Sequence, residues 1–271
     1  MIIHNDLRCS IYFGDARDKL YQEEYLNLSD IDSRSILENP LFSHLKKTLD
    51  ISKLFFLKQV HGVQGISFDK LRTNGLGERA NGGVNFYSKP FSIDGDFLVT
   101  NNVSVGLGVM TADCVPLVCY DEQNHAVGIA HAGWRGTVDG IAIAMVKRME
   151  QEYKTDVKNV RIFFGPSARF CCYEVSRDFL KNLKVPGATE NKTILMYRNN
   201  KLFFDGVNYN KLLLQEYGVE RSAFEDVYAL CTICDHSFFS YRRQGAQAGR
   251  QMSVVQIKPA DNMTVVTLKD R

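Results

Sequence analysis

Residues 108–136, GVMTADCVPLVCYDEQNHAVGIAHAGWRG, set a thiol and an imidazole 17 residues apart at the ends of two apolar runs. Residues 105–110, 115–120 and 126–130 read as short buried strands, and Thr111-Ala112-Asp113-Cys114 interrupts the first two with groups too polar to be core filling. The third run delivers His131 into the small-residue loop Ala132-Gly133-Trp134-Arg135-Gly136. A further imidazole, His61, sits in the turn Lys58-Gln59-Val60-His61-Gly62 after an earlier strand. Two imidazoles and one thiolate form a borderline-soft donor set that suits zinc with a fourth position open, the pattern of a catalytic metal. Cys114 and His131 also read as a metal-free nucleophile and base, with Asp113 orienting the imidazole. They read equally as a buried small hydrophobe and a loop histidine. Spacing does not separate these readings. His61 favours the metal, since a nucleophile and base need no second imidazole.

Two anion sites suggest themselves. Gly133-Trp134-Arg135-Gly136 ahead of a helix starting at Thr137 offers backbone N–H groups and a guanidinium, so Arg135, Gly136 and Thr137 are candidates for phosphate. Arg242, Arg243 and Arg250, spaced by Gly245 and Gly249, form a second candidate locus. Cys231 and Cys234 make a CxxC with His236 beside it, the outline of a zinc knuckle or a redox pair. A structural zinc needs a second pair at similar spacing, and Cys171-Cys172 is adjacent rather than spaced. Ile233 and Phe238-Phe239 read as core, so this pair is set aside.

The elements that must position these groups follow from period and punctuation. Residues 8–13 form a first strand, and 14–29 have no clear period and read as loop. Asn39-Pro40 starts a helix carrying Leu41, Leu45 and Leu49 on one face to about Asp50. Residues 54–60 form a strand that 63–68 can join as a hairpin, and 96–100 with 103–110 form another about Asn101-Asn102. The Gly- and Asn-rich stretch 71–90 is a long surface loop that can border a site. Val138, Ile141, Met145 and Met149 mark a helix from Thr137 to about Tyr153. Further on come a strand at 160–164, a loop at 167–175 and a short helix from Ser176. A hairpin follows at 194–197 and 202–204 about Asn199-Asn200, then a helix at 207–217 stopped by Gly218. Residues 252–257 and 263–268 are closing strands. Neither a tandem repeat nor a Pro/Ser linker appears, so residues 1–271 are expected to form a single α+β domain with mixed sheets and packed helices.

Composition bounds the function. The chain of 271 residues carries 33 basic and 31 acidic side chains, with no basic block beyond pairs such as Lys46-Lys47 and Arg242-Arg243. That balance points away from nucleic acid and membrane and toward small substrates, and no protein partner is evident. The apolar runs fall short of a membrane span, and the opening residues turn polar too soon for a secretory signal, so a cytoplasmic protein is expected. Seven cysteines without framework spacing read as reduced thiols or metal ligands rather than disulfides.

The motifs are specific in combination: KQVHG around His61, MTADCVPLV around Cys114, AHAGWRG around His131, GP then CCYEV over residues 165–175, and CT then FFSYRR over 231–243. In this order and over most of the chain they closely resemble the YfiH-like laccase-domain family. The resemblance implies an α/β/α-type layered fold related to bacterial toxin deamidases. It implies a zinc-dependent purine nucleoside enzyme that phosphorolyses adenosine, inosine, guanosine and methylthioadenosine and also deaminates adenosine, with one zinc per chain on His61, Cys114 and His131. The family's multicopper polyphenol oxidase label lacks support in this sequence, which has no HxH pairs or Cys-His clusters for a type 1 plus trinuclear copper set, so zinc is expected rather than copper. One departure stands out. Family members carry an Arg and a Gly-Gly ahead of a Leu-Asn-Leu; Leu26-Asn27-Leu28 is present, but upstream the chain reads Phe13-Gly14-Asp15-Ala16-Arg17-Asp18, leaving Arg17 as the substitute guanidinium.

Overall fold

Runs such as VPLVCYD and AVGIAHA are apolar on both alternating faces, so the strands they form must be covered on both sides. The computed structural model, which describes residues 2–5, 8–18, 45, 47, 49, 51, 53–69, 93–103 and 105–258, covers them in this way. In chain order the described strands are β1 (Ile2–Asn5), β2 (Cys9–Phe13), β3 (Lys53–Phe56), β4 (Gly65–Ser67), β5 (Phe97–Thr100), β6 (Val105–Thr111), β7 (Val115–Asp121), β8 (Ala126–Ala132), β9 (Val160–Phe164), β10 (Glu174–Val175), β11 (Leu195–Arg198), β12 (Lys201–Phe204), β13 (Phe224–Glu225) and β14 (Gln251–Ile257). Helices α1 (Trp134–Asp139), α2 (Ile141–Tyr153), α3 (Gly206–Tyr217) and α4 (Tyr241–Gln244) lie between them.

Three sheets result, ordered β1-β2-β14-β6-β3, β13-β9-β7-β8-β5-β4 and β10-β12-β11. The two large sheets share one core: Ile11, Phe13, Leu107 and Val255 of the first meet Val118, Tyr120, Ile129 and Phe163 of the second. Behind the second sheet, Leu117, Cys119, Ala130 and Phe164 pack on α2 and α3. Behind the first, Tyr12, Phe56, Met252 and Val254 meet Leu45 and Leu49 of a helical stretch. The α+β class with mixed sheets and packed helices is as expected. Between the helical layers, however, lie two sheets face to face.

Two expected hairpins are corrected by this pairing. β3 and β4 lie in different sheets, β3 parallel to β6 and β4 parallel to β5, and β5 and β6 are likewise divided. Strands apolar on both faces gain more from cover on both sides than from pairing with a sequence neighbour, so the chain crosses between sheets instead of turning back. The hairpin of β11 and β12 does form, with Asn199 and Asn200 at φ 50° and 60°, the turn that Asn tolerates. Gly218 ends α3 as expected, at φ 112°. The first strand is preceded by β1, which the weak pattern hid. The loop 71–90, the strand 263–268, Leu26-Asn27-Leu28 and most of the helix from Asn39 lie outside the described residues.

The expected helix from Thr137 begins earlier, at Trp134, and breaks at Gly140, whose φ of 88° ends α1 and starts α2. The break re-aims α2 so that Ile141, Met145 and Met149 reach the sheet with 0% exposure. Each such burial contributes about 1.5–3 kcal/mol, more than the roughly 0.5–1 kcal/mol that a glycine costs a helix. No atom lies within 4 Å of where a Cβ on Gly140 would stand, so the demand there is purely conformational. Gly140→Ala is expected to cost about 1–2 kcal/mol, read as a lower melting temperature, with Gly140→Asn costing less; equal melting of all three proteins would contradict this.

Candidate metal centre at the sheet crossings

Among the described residues the chain passes from the first large sheet to the second twice, and each passage carries a candidate ligand. After β3 the link 57–64 bears His61, and after β6 the link 112–114 bears Cys114. β7 and β8 pair with Val115 opposite Ala132 and Pro116 opposite His131, which brings His131 beside Cys114. One ligand atom from each of His61, Cys114 and His131 lies within 4.8 Å of the others. The two imidazole rings meet edge to face at 4.7 Å. His61 and Asp113 have positive φ, 60° and 88°, a backbone cost of about 1–3 kcal/mol each that the surroundings must hold. Gly133 completes the approach: a Cβ there would stand 2.9 Å from His61 Cδ2 and 3.4 Å from Cys114 Sγ.

Asp96 holds the group together, and sequence reading missed it. Its side chain is fully enclosed, accepting backbone N–H bonds from His61 at 3.0 Å and Gly62 at 2.7 Å and meeting His131 Nδ1 at 2.9 Å. One carboxylate thereby fixes the strained His61 turn and the ring of His131, leaving Nε2 for the site. The signal lies in Asp94-Gly95-Asp96, a carboxylate at the start of an apolar strand, which by local pattern reads as a strand boundary.

The charges reinforce one another. Burial pushes the Cys114 thiol upward, but the imidazoles of His131 and His61 outweigh it and bring it down to about 6. Burial lowers His131, yet Cys114 and Asp96 together raise it to about 9. The Asp96 carboxyl resists its burial and stays below the usual range because His131, Gly62 and His61 bond its charged form. In the metal-free protein a thiolate–imidazolium pair therefore spans the window between about pH 6 and about pH 9. A metal ion held there by His131 would take the place of a proton on its ring.

A cavity of about 800 Å³ opens on these groups, lined also by Arg135, Arg242 and Arg250. Arg135 stacks on Trp134 at 4.5 Å and Arg242 on Tyr173 at 4.8 Å. Other expected anion contacts fall elsewhere. Gly136 and Thr137 are buried inside α1, and the Thr137 N–H is already bonded to the Gly133 carbonyl at 2.8 Å. Arg243 donates to the carbonyls of Thr232, Ile233 and Phe238, which makes it a structural brace. Arg17 pairs with Asp15, is 76% exposed and does not line the cavity. Asp113 lines the cavity, but its oxygens accept from Thr232 Oγ1 at 2.7 Å and from the Arg242 N–H at 2.6 Å, so it anchors the segment bearing Arg242. The CxxC pair that spacing set aside also needs correction: Cys231 and Cys234 meet Cys171 and Cys172, with all four sulfurs within 4.8 Å of one another. Adjacent cysteines can serve as a pair when a turn, here closed by Cys172 N–H to Arg169 carbonyl, aims them together.

Asp96→Asn is expected to weaken metal affinity about 10–100-fold, as loss of a carboxylate behind a ligating histidine does. Competition with a chromophoric chelator measures it; unchanged affinity would show that Asp96 does not hold His131 for the site.

Residues 19–258 match the family model described as multi-copper polyphenol oxidoreductase laccase. A purine nucleoside phosphorylase of Clostridium acetobutylicum is 27% identical over 257 residues, 92% of this chain and 92% of the relative. Adenosine deaminase RL5 of an unknown prokaryotic organism is 31% identical over 242 residues, 86% of this chain and 87% of the relative. Among solved structures, the hypothetical protein YfiH of Bacillus licheniformis is similar with a TM-score of 0.72 at 27% identity, over 92% of this chain and 93% of that one. With its motifs, its fold and most of its length thus matched, the chain belongs to the multi-copper polyphenol oxidoreductase laccase family, the YfiH-like laccase-domain proteins.

Proposed function

We propose that this chain is a zinc-dependent purine nucleoside enzyme that phosphorolyses adenosine, inosine, guanosine and methylthioadenosine and also deaminates adenosine hydrolytically. The observation that carries the reading is the meeting of His61, Cys114 and His131 beside a cavity of about 800 Å³ flanked by arginines. The donor set fits zinc: two imidazoles and a thiolate in reach of one centre, His131 turned by Asp96 so that Nε2 is available, and the thiol already acidic. Zinc at such a site supplies Lewis acidity that acidifies water and polarises oxygen. The cavity lies in the range that encloses a small ligand. The names of the relatives from Clostridium acetobutylicum and the unknown prokaryote support the two activities. No helix of the described residues is long and apolar enough to cross a membrane, and a cytoplasmic setting belongs to the proposal.

The chain's own groups have distinct tasks. Arg135 and Arg242, each stacked on an aromatic ring and lining the cavity, take the phosphate charge. Tyr241, 54% exposed on the cavity wall, offers a ring face to the purine. Asp113 keeps Arg242 in place through the main-chain N–H. In phosphorolysis the bond from the anomeric carbon to the purine nitrogen breaks, a phosphate oxygen bonds that carbon, and the purine leaves with a proton, giving adenine and ribose 1-phosphate from adenosine. In deamination water adds at C6 and ammonia leaves, giving inosine.

The low Cys114 thiol favours one alternative, a metal-free cysteine hydrolase or deamidase with His131 as base. The copper oxidase reading is weaker. Among the described residues the two groups able to hold a metal contain two imidazoles and none, too few for a trinuclear copper set. Two imidazoles and a thiolate do suit a single copper, so elemental analysis is the direct test.

Adenosine incubated with and without phosphate, with products resolved chromatographically, is expected to yield adenine only with phosphate and inosine in both cases. His61→Ala abolishes both products; oxidation of a phenol with no nucleoside turnover would sink the proposal. Arg242→Ala is expected to raise KM for phosphate about 10–100-fold, from the ~1.5–3 kcal/mol of a charged hydrogen bond, and to leave deamination intact. Exhaustive chelation is expected to stop turnover; turnover that survives chelation but ends on alkylation of Cys114 establishes the thiol as nucleophile instead.

A further inference from the structure

Four cysteines outside the nucleoside cavity meet where two loops touch. Cys171 and Cys172 lie in the turn closed by N–H bonds from Cys172 and Tyr173 to the Arg169 carbonyl, 2.9 and 2.8 Å. Cys231 and Cys234 lie in a turn closed by the Asp235 N–H on the Cys231 carbonyl at 3.0 Å. The loops are stitched by a bridge between Ser167 and Cys231 and by the Thr232 N–H on the Ser167 carbonyl at 3.0 Å. All four sulfurs fall within 4.8 Å of one another, and Cys171 Sγ stands 3.9 Å from Cys234 Sγ. Two sulfurs on a tetrahedral zinc, at Zn–S of about 2.3 Å, lie about 3.8 Å apart. A disulfide needs about 2.05 Å, and every cysteine here is a free thiol.

Guanidinium groups brace the two cysteine loops. Arg198 bonds the Cys171 carbonyl at 2.9 Å, Arg169 the Ala229 carbonyl at 2.5 Å, and Arg243 the Thr232 and Ile233 carbonyls at 2.7 Å. Arg169 is itself paired with the Asp205 carboxylate at 2.9 Å, so Arg198 and Arg243 are the cations that offset part of the net negative charge that four thiolates leave on one divalent ion.

We propose that Cys171, Cys172, Cys231 and Cys234 form a second metal site, a closed tetrathiolate that binds a structural zinc and clamps the loop bearing Tyr173 to the segment bearing Arg242. Four protein ligands leave no open position, so the site holds structure and takes no substrate. Its mechanical reach is short: Thr232, inside the CxxC loop, bonds Asp113 at 2.7 Å, and Asp113 bonds the Arg242 N–H at 2.6 Å.

The test counts metal and needs no activity. Protein purified without chelator is expected to carry two zinc equivalents per chain, released by a mercurial thiol reagent and read with a metallochromic dye. Cys231→Ser with Cys234→Ser is expected to fall to one equivalent. His61→Ala with Cys114→Ala is expected to keep one, and its X-ray absorption then shows four sulfur neighbours at about 2.3 Å with no nitrogen. Because the second variant destroys the other centre, its retained zinc distinguishes this site from the nucleoside reading, and it serves if the first variant fails to fold. A single equivalent in the wild-type chain, lost entirely from the His61 and Cys114 variant, would overturn the proposal. So would a disulfide among these four cysteines found by mass spectrometry of freshly purified, unreduced protein.

Discussion

The Asp96 carboxylate is the interaction on which the candidate site depends. It is buried at the start of β5, and a buried carboxylate is tolerated only when its charge is met by hydrogen bonds and an opposite charge. Here the partners are the backbone N–H groups of His61 and Gly62 and the ring of His131, so the groups that satisfy Asp96 are those that must converge. Its folded pKa is depressed, so its contribution to stability is present above the unfolded value and is lost as pH falls through the folded one. The His131 pKa is raised to about 9, so that contribution is complete below the unfolded value and is lost as pH rises through 9.

The site lies where it does because of how two double-faced sheets are connected. Each passage between them leaves pairing for a few residues, and a chain free of the ladder can adopt left-handed conformations that a strand forbids. His61 and Asp113 do so, at φ 60° and 88°. The bonds from Asp96 to the His61 turn, and the Ala168 N–H on the Asp113 carbonyl at 2.9 Å, hold these conformations in place. His61 and Cys114 thus stand on pinned links between strands, while His131 stands within β8 itself.

How much of this was legible in the sequence varies by interaction range. Most of the strands of the central region, the Asn199-Asn200 turn and the Gly218 stop depend on local pattern and turn chemistry, and these read correctly. That His61, Cys114 and His131 come together was legible from residue types and motifs, and the structure brings one donor atom from each within 4.8 Å of the others. Partner choice was not legible. Residues 63–68 carry nothing local to say that they pair with β5 rather than with β3, because cover by a distant sheet decides it. Asp96 escaped for the same reason: its partners are 34 and 35 residues away in one direction and 35 in the other. Arg243 misled because a guanidinium in a basic triplet looks like an anion ligand until three carbonyls close around it.

The four cysteines show the limit of spacing rules more sharply. A rule that asks for two CxxC pairs assumes that each pair is presented by the same kind of knuckle, yet tetrahedral donors need only four sulfurs at the right separations. An adjacent pair supplies two of them when its turn faces a CxxC loop. The two clusters are also not independent. Thr232 links the thiol loop to Asp113, Asp113 precedes Cys114, and both lie on the passage from β6 to β7. Loosening of the cysteine loops therefore reaches the link bearing Cys114 through one hydroxyl–carboxylate bond of 2.7 Å and reaches Arg242 through one N–H bond of 2.6 Å. The passage that gives Cys114 its position is thus held from two sides, by Asp96 through His131 and by the cysteine loops through Asp113.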